Sequence, residues 1–300
     1  MTGRSRKIVA AAVVFIAAAG VVAALGMSLI SRPAVYSPTT TLDVAVTLRP
    51  WPEHDAIYRA TGFPYVVACE LERGALLYIG CRHTSDAANP QLTEVERLWD
   101  EFKPTVALCE GRQRMFRYTA RNRTGGLAES ELTRILAWRH GVPLYTLEPT
   151  YEAEVAALLK HFEPRLVATY FTLRVFTQEA KREKGDKDAL ALHLLEKRTN
   201  VEGLRGSLRT VADLDAFWTE RFPDSPGWRT LPDTEGLPLL REVGDRSREC
   251  RGEHMVRSLV ELTRKGERVL AVVGASHVIR QEPCLIEALG APSTAAPPAN

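Results

Sequence analysis

Cysteine is scarce in this 300-residue chain: there are five, Cys69, Cys81, Cys109, Cys250 and Cys284, an odd number with no short paired spacing. A small disulfide-stapled scaffold and a zinc knuckle are thereby excluded. A surplus of one charge is also missing. With 39 basic against 37 acidic residues the chain carries no electrostatic footprint for nucleic acid, so no nucleic-acid partner is expected. Internal repeats are lacking, apart from one doubled tetrapeptide described below. Nothing in these features speaks to an oligomeric state.

Long apolar runs are lacking too, with one exception. Ile8 to Ile30 is 23 residues without a charge, enough to span a bilayer. Arg4, Arg6 and Lys7 precede it and Arg32 alone follows at once, a positive-inside bias that places residues 1–7 in the cytoplasm and everything after the span outside. A cleaved signal peptide begins alike, but its apolar core is usually ~7–15 residues and ends at a small-residue site. The expectation is a single-pass anchor in the cell membrane carrying an extracytoplasmic domain. Some 260 residues remain beyond it, sufficient for one α/β domain with a substantial core.

What the chain does have is Gly-x-x-His twice, at Gly80-Cys81-Arg82-His83 and Gly274-Ala275-Ser276-His277. Each closes a short apolar, β-branched run, Leu76 to Ile79 and Val269 to Val273, the pattern of buried strands in a largely parallel sheet. Two further runs end similarly: Thr105 to Cys109 leads into Glu110, and Pro143 to Leu147 into Glu148. Ligands in open α/β sheets bind at the carboxyl ends of strands. Polar residues also simply mark where strands stop. Two imidazoles and two carboxylates converging on one rim nevertheless make a candidate divalent-metal or acid–base site. Arg112, two residues past Glu110, shares its side if the strand continues, with Gly111 letting the chain approach closely. Arg251 precedes the stripe Met255, Leu259 and Leu262 by one helical turn, and a guanidinium on that face calls for Glu110 or Glu148 as partner.

The remaining pattern predicts α/β wrapping: a mixed, largely parallel central sheet flanked by helices. Phe63 to Leu71 and Ala75 to Ile79 form a hairpin; Leu92, Val95, Leu98, Trp99 and Phe102 form a helical stripe; a second helix runs from Ser130 to Gly141. Residues 31–45 read as a linker, 46–290 as the domain, 151–222 as a helical insertion within it, and 291–300, rich in Ala and Pro, as a disordered tail. The insertion either caps the site or packs on one face of the sheet. The Pro- and Gly-rich segment Phe222 to Pro238 reads as a long loop and a lid hinge. Lys181 to Lys187 reads as an exposed turn. Cys250 and Cys284 are candidates for a bridge. Cys81 is either a nucleophile or a small apolar filler. His54, His140, His161, His193 and His254 lack a strand-end position and default to helix surface or core.

Taken together, Gly-x-x-His after an N-terminal strand, Cys109-Glu110-Gly111-Arg112, Leu147-Glu148-Pro149, Arg251-x-x-x-Met255 and Val273-Gly274-Ala275-Ser276-His277 resemble the TraB/GumN/TIKI superfamily over roughly residues 64 to 288. The resemblance implies a divalent metal, manganese, cobalt or zinc, held by His83, His277 and Glu110, with Glu148 as a general base and Arg112 or Arg251 stabilising an oxyanion. It further implies metal-assisted hydrolysis of an amide bond in a peptide or exported protein. Two other readings use the same cleft. One is a non-catalytic protein that sequesters a peptide, favoured by bulky Arg82 and by Gly252 where the family often has a small residue or Thr, and Asp or Asn. The other is a metal-independent esterase, similar to erythromycin esterases, using His and Glu directly.

Overall fold

The computed structural model describes residues 33–43, 45–84, 86, 88–111, 129–182 and 185–290. The expected anchor at 8–30, the tail at 291–300 and Arg112 lie outside the described residues. No helix among the described residues is long and apolar enough to cross a membrane.

Six strands form one sheet: β1 Ala34–Val35, β2 Tyr65–Glu70, β3 Ala75–Cys81, β4 Val106–Cys109, β5 Leu144–Thr146 and β6 Arg268–Gly274, in the order β1-β5-β4-β6-β3-β2. Only β2 runs antiparallel, paired with β3 as the predicted hairpin. All other neighbours are parallel. Alternation along the central strands splits their side chains between two cores, as a pleated strand requires. Leu76, Tyr78, Leu108, Val269, Ala271 and Val273 face one side, where they meet Met255, Val256, Leu259, Val278 and Leu285. Leu77, Ile79, Cys81, Ala107, Leu270 and Val272 face the other, with Leu92, Val95, Trp99, Leu132 and Leu136.

Helices α1 Trp51–Ala60, α2 Pro90–Phe102 and α3 Glu129–His140 belong to this first compact unit, which comprises residues up to Glu148 and from His254 onward. So do α9 Ala275–Leu289 and the C-terminal part of α8 Pro238–Arg264. Helix α2 starts where the Asn89 side chain accepts from the Gln91 N–H and Pro90 takes the first position, and it ends at left-handed Lys103. Its buried residues Leu92, Val95 and Trp99 are those of the predicted stripe.

The second unit, Pro149–Glu253, is helical, with α4 Tyr151–Leu158, α5 Pro164–Glu179, α6 Lys187–Thr199 and α7 Val211–Arg221 leading to the start of α8. It extends past the expected 151–222. Trp228, Leu240 and Val243 are buried in the same core as Val155, Leu158, Leu194 and Leu195, so the chain to 253 is part of that fold. The segment from Phe222 to Pro238 contains a 3-10 turn, Trp228–Thr230, whose Trp228 indole donates to Asp215 at 2.7 Å while Arg229 bridges Asp188 and Asp215. These anchors argue against a hinge at that turn. Lys181 and Arg182 are exposed, as expected of a turn.

Two other expectations are corrected. The presumed linker is docked: Ala34–Val35 adds a parallel edge strand to β5, and the Glu261 carboxylate accepts from Tyr36 Oη at 2.7 Å and from the N–H groups of Thr39 and Thr40 at 2.7 and 2.6 Å. No disulfide joins Cys250 and Cys284; the Cys284 thiol instead donates to the Thr47 carbonyl at 2.8 Å.

Burial pushes the Glu261 carboxyl up, but Lys265, the Thr40 N–H and Tyr36 outweigh it and hold it well below the usual carboxylate range. A depressed folded pKa stabilises the fold above the ordinary carboxylate pKa of ~4.3, and the gain drains away as pH falls through that value toward the folded one. We therefore expect Glu261→Gln to cost about 2 kcal/mol in urea unfolding at pH 7, with the difference from the parent shrinking below about pH 4. A pH-independent difference would remove Glu261 from this role.

Candidate functional site

Strand β3 ends two residues before His83, and β6 passes into α9 without a loop, which puts His277 in the first helical turn. The two strands are parallel neighbours with Cys81 opposite Gly274, so both histidines leave the sheet at the same edge. Strands β4 and β5 add Glu110 and Glu148 at that edge. The predicted convergence is present within the first unit.

His277 Nε2 lies 3.4 Å from one Glu110 oxygen, and His83 Nε2 lies 4.0 Å from the other. That second oxygen also accepts from the Gly274 N–H at 2.6 Å. Burial works against the charge on Glu110, but His277, the Gly274 N–H and His83 prevail and hold its pKa down to about 2. It is a carboxylate at any physiological pH.

The metal-compatible group is not the expected one. Glu110, Glu148 and His277 each offer a ligand atom, all within 4.8 Å of one another, and among the described residues His83 is not a member. Its Nδ1 is instead hydrogen-bonded to Glu129 Oε1, which aims Nε2 toward Glu110. Ligand bonds of ~2.1 Å put donor atoms about 3–4 Å apart around an ion, so small side-chain shifts bring the three into range. One imidazole and two carboxylates suit zinc, manganese or cobalt.

Glu129 was not legible as a site residue. It heads α3 with its side chain only 2% exposed, whereas that of His83 is 69% exposed. Among the described residues its second oxygen is buried without a hydrogen-bond partner. By accepting from Nδ1–H it fixes the His83 tautomer, leaving Nε2 as the reactive nitrogen, and it raises the His83 pKa above the ordinary value against the opposing effect of burial. An acidic residue just before the apolar stripe Leu132, Ile135 and Leu136 was the available signal. His254 lies on α8, as expected of a helix residue; burial lowers its pKa, with a hydrogen bond to the Tyr36 backbone and the charge of Glu148 acting in the opposite sense.

Other candidates resolve more simply. Strand β4 stops at Cys109 and Gly111 turns the chain at φ 101°, with Thr146 Oγ1 donating to its carbonyl at 2.6 Å. A Cβ on Gly111 would meet nothing within 4 Å, so its glycine serves the turn, not a close approach. The strand does not continue through Glu110 and Gly111, and Arg112 lies outside the described residues. Arg251 is half-buried on α8 in the second unit. Cys81 is filler, since it is buried and burial pushes its thiol up to about 12. The Arg82 guanidinium is stacked on Phe63 and Tyr58, at 4.5 and 5.2 Å from the ring centres, which accounts for its bulk beside His83.

Comparison of the chain with protein-family models, with curated proteins and with solved structures finds no match in any of the three.

The glycines of the two motifs have different tasks. A Cβ on Gly80 would come within 2.8 Å of Ala275 Cα, a backbone atom; one on Gly274 would come within 2.9 Å of His83 Nε2 and 3.1 Å of Glu110 Oε2, both side-chain ends. Gly80→Ala is expected to destabilise the fold by about 1–3 kcal/mol. Gly274→Ala should cost less in thermal melts but displace the His83 titration followed by NMR. Equal melting losses with an unmoved His83 titration would contradict this division.

Proposed function

We propose that this chain is a membrane-anchored, extracytoplasmic, metal-dependent hydrolase of the TraB/GumN/TIKI type, acting on amide bonds of a peptide or exported protein. The observation that carries the reading is the grouping of Glu110, Glu148 and His277, whose ligand atoms lie within 4.8 Å of one another at the carboxyl edge of a parallel sheet. The choice of an amide substrate rests on the motif resemblance. In this reading Glu110, Glu148 and His277 would hold the ion, which would supply Lewis-acid polarisation of the scissile carbonyl.

The chain's own groups supply the proton chemistry. His83 presents Nε2 beside Glu110, and its hydrogen bond to Glu129 raises its pKa above the ordinary imidazole value. Water adds to the scissile carbonyl carbon as its proton passes to that nitrogen, which delivers it to the departing amine as the C–N bond breaks. Glu129 orients the ring and stabilises its cationic form. The ionised Glu110, supported by the Gly274 N–H, keeps His83 and His277 facing the same point.

The test is metal analysis of the full-length chain in detergent, alongside turnover of a peptide library. We expect about one equivalent of divalent metal and activity that a chelator removes and added metal restores. Glu148→Gln and His277→Ala should each weaken metal binding at least ~10-fold. Stoichiometric purification without metal, and turnover indifferent to chelator, would overturn the reading.

Topology is tested separately. The basic residues Arg4, Arg6 and Lys7 before the apolar run favour an extracytoplasmic C-terminus. A reporter active only outside the cytoplasm, fused after Asn300, should score positive; activity of a cytoplasmic reporter at the same position would sink the orientation.

A further inference from the structure

A second row of chemistry-bearing side chains lies beside the Glu110 group in the first unit. Asp55 Oδ1 is 2.9 Å from His54 Nδ1, and His54 Nε2 is 3.0 Å from Ser276 Oγ. Acid, imidazole and hydroxyl thus stand in the order that activates a serine. His54 is buried, at 4% exposure, while Ser276 is half-exposed.

The row is built into the fold. Helix α1 is clamped to α9 just before His54: Arg49 N–H donates to the Arg280 carbonyl at 2.8 Å, Arg280 Nε returns a bond to the Arg49 carbonyl at 3.1 Å, and the Arg49 guanidinium bonds the Ile279 carbonyl at 2.6 Å and Glu282 at 2.8 Å. Trp51 and Tyr58 hold the imidazole by ring contacts, with centroids at 5.0 and 5.6 Å. Ser276 stands in the first turn of the 15-residue α9, directly after β6, in the sequence Gly274-Ala275-Ser276. Nucleophile elbows, Gly-x-Ser-x-Gly, likewise put a serine at the junction of a strand and a helix; here Val278 takes the place of the second glycine, and the first-turn N–H groups lack intrahelical acceptors. Ser276 reaches that junction without left-handed strain, since Lys103 alone among the described non-glycine residues has a positive φ.

We propose that Ser276 is the nucleophile of a metal-independent acyl-hydrolase activity toward activated esters, with His54 as its base and Asp55 as a positioning residue. This goes beyond the metal-dependent reading and uses neither Glu110 nor Glu148. Ser276 Oγ forms a bond to the ester carbonyl carbon as its proton passes to His54 Nε2, and the carbonyl π pair moves onto oxygen. Collapse breaks the bond to the leaving alcohol, which takes that proton from His54. Water, deprotonated by the same Nε2, then adds to the acyl-serine; the carboxylic acid leaves and Oγ recovers its proton. The leaving group departs next to His54, whose ring neighbour Trp51 is 39% exposed and carries the Arg280 guanidinium 4.2 Å from its ring centre.

The experiment uses the full-length chain in detergent with EDTA present, p-nitrophenyl acetate as substrate and a fluorophosphonate as covalent probe. We expect chelator-resistant turnover and one phosphonyl adduct, mapped by mass spectrometry to Ser276. Ser276→Ala should abolish the adduct and lower turnover at least ~100-fold. Asp55→Asn alters an exposed side chain, so it should spare the fold and lower kcat at least ~10-fold with KM unchanged. Natively melting protein that takes no adduct at Ser276, or a Ser276→Ala variant with parental turnover, would overturn the proposal and leave the His54–Ser276 bond as a clamp between helices. Loss of peptide cleavage in EDTA with ester turnover intact separates this site from the metal-dependent one.

Discussion

The candidate site depends on a reciprocal fit between two strand ends. Strands β3 and β6 lie side by side in the same direction and finish level, with Cys81 opposite Gly274. Two chains leaving a sheet at one point compete for the same space. Each motif resolves this with a glycine that makes room for the other: the bare Cα of Gly80 admits the start of α9, and that of Gly274 admits His83 and Glu110. The interval from glycine to histidine is then the distance from a cleared position to the rim. A pattern that looks like two repeats is two halves of one contact, which is why neither half is informative alone.

Charge on the rim follows from that contact. Glu110, Glu129 and Glu148 meet His83 and His277 in a small, partly buried space. Three ionised carboxylates outweigh two imidazoles even when both rings are protonated, and Glu110 is held ionised down to about 2. Excess negative charge removed from water is costly, and a divalent cation or protonated imidazoles relieve it. Glu129 stands apart from the other two acids because its Oε1 is committed to His83 Nδ1. One face of that imidazole is fixed by a nearly buried acid, while the ring itself remains open to solvent.

Much of this was legible because the strands are strongly patterned. The four apolar runs are short, β-branched and end in a His or a Glu, and a parallel sheet brings such ends to one edge. Glu129 escaped because its partner is 46 residues away and nothing in local spacing links them. The docking of residues 34–40 escaped similarly: prolines and threonines read as a tether, and the carboxylate that captures Thr39 and Thr40 lies over 220 residues later in α8. At Gly111 the strand condition is not met, because the left-handed glycine turns the chain just after Cys109. Periodicity exposes elements and their ends; hydrogen bonds between distant side chains have no period.

The thiols carry a consequence for how the chain is made. Cys69, Cys81, Cys109 and Cys284 are buried, and burial raises the pKa of each. A shielded thiol that ionises reluctantly is a poor partner for oxidants and for exchange. The α/β unit closes by packing alone and has no cross-link to wait for. Maturation of this unit is thus indifferent to the redox state of the compartment where it takes place: neither an oxidising catalyst nor a disulfide-shuffling chaperone is needed on either side of a membrane.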